Sequence, residues 1–250
     1  WSFSIPQIIL PPMMKNHGNY IVSLSNVCKW LGEVAEGLGV EIYPGFSAAE
    51  VLFDDNKKVK GVATGDMGVS RDGSAKDSWE SGMELHAKYT LFSEGTRGSL
   101  SKFLIENFNL SENSDFQKYA IGLKELWEIN EENFDDGLVE HSMGWPLSDE
   151  TKGGSFLYHF DENLVSIGYV IHLNYTNPYV SPFDEFQQFK THPSVKKVLK
   201  GGKRISYGAR AITTGGYQSV PKLYFPGGAI IGCSAGFLNY PKIKGTHNAM

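Results

Sequence analysis

The chain has 250 residues, of which 41% are hydrophobic and 20% charged, and its formal net charge is −5. This composition predicts one large or two closely associated globular domains and argues against nucleic acid as a partner. Only two cysteines occur, Cys28 and Cys233, so the chain alone supplies no disulfide framework, zinc ribbon or four-thiolate iron–sulfur site. No apolar run of about 18 residues is present, so no membrane-spanning helix is predicted.

Glycine and aromatic residues are both frequent. The chain contains 28 glycines, and Phe, Trp and Tyr make up 13% of it. Glycine is used where the backbone adopts positive φ or approaches a ligand closely, and aromatic side chains supply flat apolar surface. This composition fits a fold that wraps a planar cofactor, although a turn-rich mixed fold has the same composition.

The first part of the chain predicts alternating helices and strands. Apolar residues recur at spacings of three and four between 19 and 38, which predicts a helix capped by Gly39. Cys28 lies on that apolar stripe, so we expect it to be a buried core residue. The pattern further predicts a strand at 40–43, a hairpin of 49–53 and 58–63, a loop at 64–81, a strand at 85–92 and a helix at 98–107.

The middle of the chain is rich in β-forming residues separated by glycine and acidic turns, which predicts an antiparallel sheet. Strands are expected at 119–129, 139–145, 155–160 and 164–173, helices from 183 and at 193–199, further strands at 207–212, 223–225 and 229–232, and a helix start at 245–247. The change in character predicts a mixed α/β (α+β) fold in which one domain is interrupted by another.

Several catalytic signatures are missing from the sequence, including G-x-S-x-G, G-x-x-x-x-G-K-[ST] and H-E-x-x-H. What remains are three junctions at which a strand runs into glycines, at 60–66, 89–98 and 226–236. Such junctions present backbone N–H groups to an anion, typically a pyrophosphate. Each one alone is a weak signal, because a tight turn between strand and helix uses the same residues.

In order and spacing, the three junctions together resemble those of the glutathione-reductase-like FAD superfamily. The sequence departs from that superfamily at Cys233, where an acidic residue usually follows the glycine. Longer segments are similar to one family within it, the electron transfer flavoprotein–ubiquinone oxidoreductases. They span nearly the whole chain and comprise 17–22, 92–95, 121–127, 144–147, 153–159, 177–179, 201–205, 207–211 and 241–247.

This resemblance implies an FAD-dependent enzyme of the respiratory chain, located at the mitochondrial inner membrane on its matrix side or at the bacterial cytoplasmic membrane. Such an enzyme passes electrons from reduced electron transfer flavoprotein, through an iron–sulfur cluster and FAD, to ubiquinone. Residues 1–112 and 226–250 would then form part of a Rossmann-like FAD-binding domain, and residues 113–225 an antiparallel-sheet ubiquinone-binding domain. The family's G-x-G-x-x-G, cluster cysteines and membrane-inserting segments are expected outside these residues, so a central fragment with a peripheral membrane contact is expected.

The resemblance also implies roles for individual residues. Gly153 and Gly154 would bind ubiquinone, although the local sequence alone favours a two-glycine hairpin turn. FAD contacts are implied for Thr64, Glu94, Gly95, Gly232, Cys233, Gly236, Gly245, Thr246 and His247. The last three open a helix whose positive end would face the pyrimidine edge of the flavin. No general acid or base and no metal ligand is predicted.

Some assignments stay open at this level. Four aromatic residues could line a quinone channel or simply pack the sheet: Trp127, Trp145, Tyr158 and Tyr207. Two other functions also remain: another flavoprotein of the same fold, such as a hydroxylase or prenyl reductase, or a non-catalytic homologue that serves as a structural subunit of a membrane complex. An intact mass together with a visible spectrum for flavin and cluster would distinguish them.

Overall fold

The computed structural model describes residues 3–15, 17–239, 242 and 244–249, without the side chains of Gln7 and Met13. Pro241 and Ile243, which belong to the last family-like segment, lie outside the described residues. The chain divides into two compact units. Of the described residues, the sheet unit contains those up to Trp30, Gln117–Thr214, Asn239 and Lys242. The junction unit contains Leu31–Phe116, Gly215–Leu238 and residues 244–249.

The first helix, α1 (Leu24–Gly37), ends before Gly39, whose φ of +88° matches the expected left-handed cap. The prediction of a buried Cys28 is wrong, because the thiol is exposed and no residue of α1 is buried. The predicted strand at 40–43 is also absent, since these described residues pair with no other strand. A periodic apolar stripe therefore indicated the helix but not the burial of its face.

The predicted hairpin is confirmed as β1 (Ala48–Phe53) and β2 (Val59–Thr64), which pair antiparallel. Its turn is closed by Asp54, whose Oδ1 accepts the backbone N–H groups of Asn56 and Lys58, each at 2.9 Å. The expected loop at 64–81 instead contains a second antiparallel hairpin, β3 (Met67–Val69) and β4 (Ala75–Glu80). All six residues of β4 are exposed. The strand therefore lacks the alternation of apolar and polar residues on which the prediction of strands depends.

The expected strand at 85–92 is two strands in different sheets. They are β5 (Glu84–His86), which pairs with β2, and β6 (Thr90–Phe92), which belongs to a separate three-stranded sheet with two strands from 224–225 and 228–230. The predicted helix follows as α2 (Ser99–Asn107). Apolar side chains from these elements form the core of the junction unit, in which the Phe108 and Phe225 rings stack at 4.9 Å.

The predicted antiparallel sheet is confirmed, with five strands in the order β11-β7-β10-β9-β8. Its strands and the two helices that pack on it are β7 (Tyr119–Glu128), β8 (Val139–Met143), β9 (Gly153–Phe160), β10 (Leu164–His172), α3 (Pro182–Phe189), α4 (Pro193–Leu199) and β11 (Lys203–Thr213). Ser181 begins α3 by accepting the Asp184 N–H, and Pro182 occupies its first turn.

Alternation along the strands divides the sheet into two faces. One face packs against α3 and α4, and its core includes Val165, Ile167, Tyr169 and Ile171 of β10 with Phe186 and Phe189 of α3. The other face, called the second face here, is defined by the alternate positions of the strands. It carries His141 and Met143 of β8, Gly154, Phe156 and Tyr158 of β9, Ser166, Gly168 and Val170 of β10, Gly122 and Lys124 of β7, and Gly208 and Arg210 of β11.

The chain then completes the junction unit with β12 (Tyr224–Phe225), β13 (Gly228–Ile230) and α5 (Thr246–Ala249). The strand predicted at 229–232 ends two residues early, because Gly232 begins a short 3-10 helix, Gly232–Ser234. Together the elements confirm a mixed α/β fold with antiparallel sheets. Among the described residues, no helix combines the length and the hydropathy needed to cross a membrane.

Candidate functional site

The second and third glycine junctions lie side by side in the junction unit. They follow β6 and β13, which pair in parallel with Thr90 opposite Gly228 and Phe92 opposite Ile230. Parallel strands bring their carboxyl ends to the same edge, which is where α/β folds bind ligands. The Ser234 hydroxyl donates to the Gly95 carbonyl at 3.0 Å and so ties the two loops together.

The glycines in these loops adopt backbone conformations that other residues rarely take. Gly95, Gly232 and Gly236 have φ values of +85°, +62° and +79°. A Cβ added at Gly95 would have no heavy atom within 4 Å, so the loop is open on that side. Open positive-φ loops at the carboxyl ends of parallel strands fit the phosphate and ribityl parts of a dinucleotide.

Glu94 is held by the helix that follows it. Its Oε2 accepts the N–H and the hydroxyl of Ser101, each at 2.6 Å, and its Oε1 accepts the Leu100 N–H at 3.3 Å. The first N–H groups of α2, which the junction pattern would offer to a phosphate, are thus satisfied by a carboxylate of the chain itself. Contact of Glu94 with FAD stays a prediction, and any such contact would have to share these bonds.

The remaining C-terminal residues of the candidate site gather around the third junction. A Cβ at Gly245 would lie 4.0 Å from the Cys233 Sγ, and a Cβ at Gly232 would lie 3.8 Å from the Ala249 Cβ. The Asn248 side chain donates to the Phe237 carbonyl at 2.8 Å, which fastens α5 to the junction. Cys233 is half-buried, and burial raises the pKa of its thiol above the ordinary value, so the neutral thiol is favoured.

Thr64, from the first junction, has a different set of contacts. It closes β2, where its backbone N–H donates to the Met83 carbonyl and its hydroxyl accepts the Met83 N–H, both at 2.9 Å. These bonds join the end of β2 to the approach of β5. The structure thus brings the second and third junctions together and gives Thr64 a bonding role within its own sheet.

Gly153 and Gly154 lie inside β9 rather than in a turn, so the hairpin-turn alternative is wrong. Gly153 pairs with Ile171, and Gly154 pairs with Val170 on one side and Met143 on the other. A Cβ at Gly153 would lie 2.4 Å from both the Leu147 Cδ1 and the Val170 carbonyl oxygen, and one at Gly154 would lie 2.6 Å from the Ser142 carbonyl oxygen. Both glycines therefore allow a close approach of neighbouring chain, which is a common reason for glycine within a strand.

The four aromatic residues that could either line a quinone channel or pack the sheet differ in their exposure. Trp127 packs against the sheet core and donates its indole N–H to Glu125 at 2.8 Å. Tyr158 is partly buried and lies on the second face beside Phe156, with ring centroids 5.1 Å apart. Trp145 and Tyr207 are more exposed, at 46% and 77%.

A buried ionic cluster on the helix-packed face was missed from the sequence. Glu125 is 2% exposed. Its carboxylate accepts hydrogen bonds from the Lys190 ammonium at 2.8 and 2.9 Å and from the Arg204 guanidinium at 3.1 Å. Burial acts to raise its pKa, but the hydrogen bonds from Lys190, Trp127 and Arg204 hold the pKa below its ordinary value. The sequence did contain a signal for this cluster. Glu125 alternates along β7 in phase with Ile121 and Leu123, so its side chain lies on the same buried face, and a carboxylate buried there needs a cation as partner.

No metal centre accompanies these features in the part of the chain that the structure describes. No group of three or more His, Cys, Asp or Glu side chains is placed there to hold a metal ion. The candidate sites are therefore the glycine loops of the junction unit and the β9 glycines of the sheet unit.

Comparison with solved structures defines the class of fold. The chain resembles a geranylgeranyl bacteriochlorophyll reductase-like protein from Thermoplasma acidophilum with a TM-score of 0.66 and 16% identity, covering 90% of this chain and 50% of that one. It resembles a variant of the flavin-dependent brominase Bmp2 with a TM-score of 0.56 and 18% identity, covering 86% and 50%. The chain thus shares the fold of these two proteins, of which the second is a flavin-dependent brominase.

Sequence comparison then shows which proteins the chain is similar to. Residues 119–212 match the family model described as ETF-QO, ubiquinone-binding. The chain is 57% identical over 247 residues to the electron transfer flavoprotein–ubiquinone oxidoreductase of Pseudomonas aeruginosa and 58% identical over 251 residues to the human mitochondrial protein of that name. These matches cover 98% and 99% of this chain but 45% and 41% of the relatives. Over nearly its whole length the chain is therefore similar to electron transfer flavoprotein–ubiquinone oxidoreductases, as the sequence segments indicated, and it spans less than half the length of these relatives.

Proposed function

We propose that this chain is part of an FAD-dependent oxidoreductase that takes electrons from reduced electron transfer flavoprotein and passes them to ubiquinone. The observation that carries the proposal is the five-stranded sheet, because residues 119–212 of that sheet unit match the ubiquinone-binding family model. The homology of the whole chain to oxidoreductases of that name adds the electron donor and the reaction. Neither alternative function has comparable support.

The proposed FAD contacts are the glycine loops of the junction unit, where Gly95, Gly232 and Gly236 would place backbone against the cofactor. Bound FAD would supply the chemistry of accepting and releasing electrons. Cys233 would contribute a neutral thiol beside it, while Gly245, Thr246 and His247 would lie near its flavin end. Thr64 and Glu94 would act from the first and second junctions. Residues 1–112 and 226–250 are accordingly proposed as FAD-binding, and residues 113–225 as ubiquinone-binding.

The proposed ubiquinone contact is at Gly153 and Gly154, where the absence of side chains keeps the surface of β9 low. Gly154 lies on the second face, directly opposite Met143, whose side chain is 82% exposed. Met143 can therefore be changed with little effect on packing, unlike Gly154, where any side chain meets the backbone of β8. An iron–sulfur cluster with ligands elsewhere, and a peripheral position at the mitochondrial inner membrane on its matrix side or at a bacterial membrane, complete the proposal.

The decisive experiment is a kinetic comparison in the full-length protein with its flavin. Met143→Glu is expected to raise the KM for ubiquinone at least tenfold, because a carboxylate would meet an apolar ring opposite Gly154. Reduction of the bound FAD by the donor flavoprotein is expected to stay unchanged. Phe183→Glu is the matched control, since Phe183 is 57% exposed on α3, which packs on the other face.

Photolabelling with an azido-ubiquinone locates the site independently of kinetics. Crosslinks within 141–158 are expected. Crosslinks confined to another segment, or an unchanged KM in Met143→Glu, would contradict the proposed quinone site. Absence of ubiquinone reduction in the unaltered, flavin-loaded protein would contradict the proposed activity as a whole.

A further inference from the structure

Reduction of a quinone to a quinol requires protons as well as electrons. Each carbonyl oxygen of the ring becomes a hydroxyl, so two electrons and two protons are consumed for each ubiquinone. The reduced flavin enzyme is the source of the electrons in the proposed function. A path for the protons has to reach the ring from water.

The second face holds one hydrogen-bonded pair of proton-carrying side chains close to the proposed quinone contact. The His141 Nε2 and the Tyr158 hydroxyl are 3.0 Å apart, and their rings meet edge-on with centroids 5.5 Å apart. His141 is exposed, whereas Tyr158 is only partly exposed. The pair thus joins an imidazole open to water with a phenol set against the sheet.

The strand register places His141 diagonally across from Gly154, while Tyr158 lies four residues from Gly154 along β9. His141 lies directly opposite Phe156, and Phe156 is two residues from Gly154 on the same face of β9. Gly154 is therefore the diagonal cross-strand neighbour of His141, a relationship that places Cα atoms about 7–8 Å apart and within reach of a long side chain. A flat ring lying over Gly154 would come within reach of the imidazole.

We propose that His141 delivers protons to the reduced ubiquinone and that Tyr158 positions and reprotonates the imidazole. The proposal rests on the proposed function, because it requires the quinone ring at Gly154. As an electron pair from the reduced flavin enters the ring, a proton leaves the imidazole and forms an O–H bond on a quinone oxygen. Because Nε2 is bonded to the Tyr158 hydroxyl, the proton that leaves is the one on Nδ1, and the phenol proton moves to Nε2. A solvent proton then enters the exposed imidazole at Nδ1 as the Nε2 proton returns to the phenolate. A second proton follows the same route, so the pair returns to its starting state.

The second face carries other charged and titratable side chains, whose positions relative to His141 matter for a pH-dependent transfer. They are Lys124 on β7, His172 on β10 and Arg210 on β11, while Glu140 neighbours His141 on β8 itself. Lys124 lies three strands from His141 and Arg210 lies four, roughly 14 and 19 Å at about 4.8 Å per strand, so their charges are largely screened at the imidazole. Burial, together with Lys152 and Lys118, lowers the pKa of His172, so His172 stays neutral around pH 7. His141 is the exposed histidine among the face residues described, and it is the one beside Gly154.

The test uses the full-length, flavin-loaded protein with ubiquinone as the acceptor. His141→Gln is expected to lower kcat for ubiquinone reduction about a hundredfold, in the range that a positioned proton donor contributes. Tyr158→Phe is expected to lower it about tenfold, because the imidazole is kept but its partner is lost. The KM for ubiquinone and the rate of FAD reduction by the donor flavoprotein are expected to change less than about twofold.

A purely structural role would not alter the proton dependence, so two further measurements decide the question. Turnover of the unaltered protein is expected to show a solvent deuterium isotope effect and a pH limb that disappears in His141→Gln. Imidazole added to His141→Ala is expected to restore part of kcat. His86→Gln is the matched control, since His86 is an exposed histidine bonded to Glu84 at 2.8 Å in the junction unit.

The outcomes separate this proposal from the proposed function. An unchanged kcat, or a lowered kcat with the pH limb and isotope effect retained, would overturn the proton role even if ubiquinone is reduced and crosslinks to 141–158. Failure of the unaltered protein to reduce ubiquinone, or crosslinking elsewhere, would instead remove the quinone site on which the proposal depends.

Discussion

The sheet unit and the junction unit use the same residue types for opposite purposes. In the sheet unit, Gly153, Gly154 and Gly168 lie within strands, where an added Cβ would collide with neighbouring atoms at 2.2–2.6 Å. In the junction unit, Gly95 and Gly232 have positive φ, and an added Cβ would meet no atom within 4 Å at Gly95 and only an ordinary contact with the Ala249 Cβ, at 3.8 Å, at Gly232. Glycine thus permits close packing at these three strand positions and positive-φ turn geometry at these two loop positions.

Carboxylates show the same contrast. Glu125 is buried in the sheet unit and forms ion pairs with two cations, Lys190 and Arg204. Glu94 accepts hydrogen bonds from neutral donors at the start of α2, at the edge of a loop. Because the energetic cost of an unpaired group depends on its burial, the two units should respond differently to equivalent substitutions.

The largest expected effect is at Glu125. Glu125→Gln would leave Lys190 without its counter-ion, and breaking a buried pair in this way costs about 3–5 kcal/mol. Glu94→Gln should cost about 0.5–2 kcal/mol, the range for loss of a helix cap. Hydrogen exchange of the β7 and α2 amides in the full-length protein would measure the local stability lost in each variant. Glu128→Gln, at an exposed position, is the control. Equal losses of stability in the Glu125 and Glu94 variants would contradict the contrast.

The glycine comparison predicts a graded series. Gly154→Ala should destabilise the sheet unit by about 1–3 kcal/mol through overpacking against the Ser142 carbonyl. Gly95→Ala should cost about 1–2 kcal/mol through its left-handed φ alone. Gly208→Ala is the matched control within the same sheet, because a Cβ there meets no atom within 4 Å. Thermal unfolding of the three variants tests the order, and a destabilising Gly208→Ala would show that steric contact is not the cause.

The pH dependence should be confined largely to the sheet unit. Burial lowers the pKa of His159, whose Nδ1 accepts the Asp135 N–H at 3.1 Å, and burial likewise lowers that of His172. Unfolded histidines take up protons as the pH falls through about 6.5, while these two resist, so stability present above that pH is lost below it.

Hydrogen exchange of the β9 and β10 amides at pH 7.5 and 5.5 would detect this loss. The substitution His159→Gln should reduce the difference in amide protection between pH 7.5 and pH 5.5. The part of that difference that is due to His172 should remain. An equal loss of protection in β1 and β2 would show that the effect is not specific to the buried histidines.

The smallest effect on stability is expected at the cysteines, which differ in reactivity. Exposed Cys28 should react with iodoacetamide near neutral pH well before Cys233, whose thiol is half-buried with a raised pKa. Cys233→Ser in the full-length protein should retain most ubiquinone reduction, because the thiol is expected to be structural. Loss of turnover with FAD still bound would instead indicate a chemical role, and faster labelling of Cys233 would contradict its burial.

Much of the sheet unit could be predicted from the sequence because its strands are long and alternate regularly. The predicted strands at 119–129 and 164–173 match β7 and β10 to within a residue at each end. The junction unit was harder, since its strands are short and carry few periodic positions. The β3–β4 hairpin was missed for that reason. β5 and β6 were predicted as a single strand, because nothing in the local sequence shows that the two segments belong to different sheets.

The sequence by itself determined the class of elements, the glycine junctions and the similarity to one family, because these depend on local pattern and on long similar segments. Only the tertiary structure decided which junctions meet, that Cys28 is exposed and that Gly153 and Gly154 lie within a strand. It alone paired Glu125 with Lys190 and Arg204 and placed His141 against Tyr158. These relationships join residues up to 139 positions apart, and strand register and side-chain packing, which local sequence does not encode, set such distances.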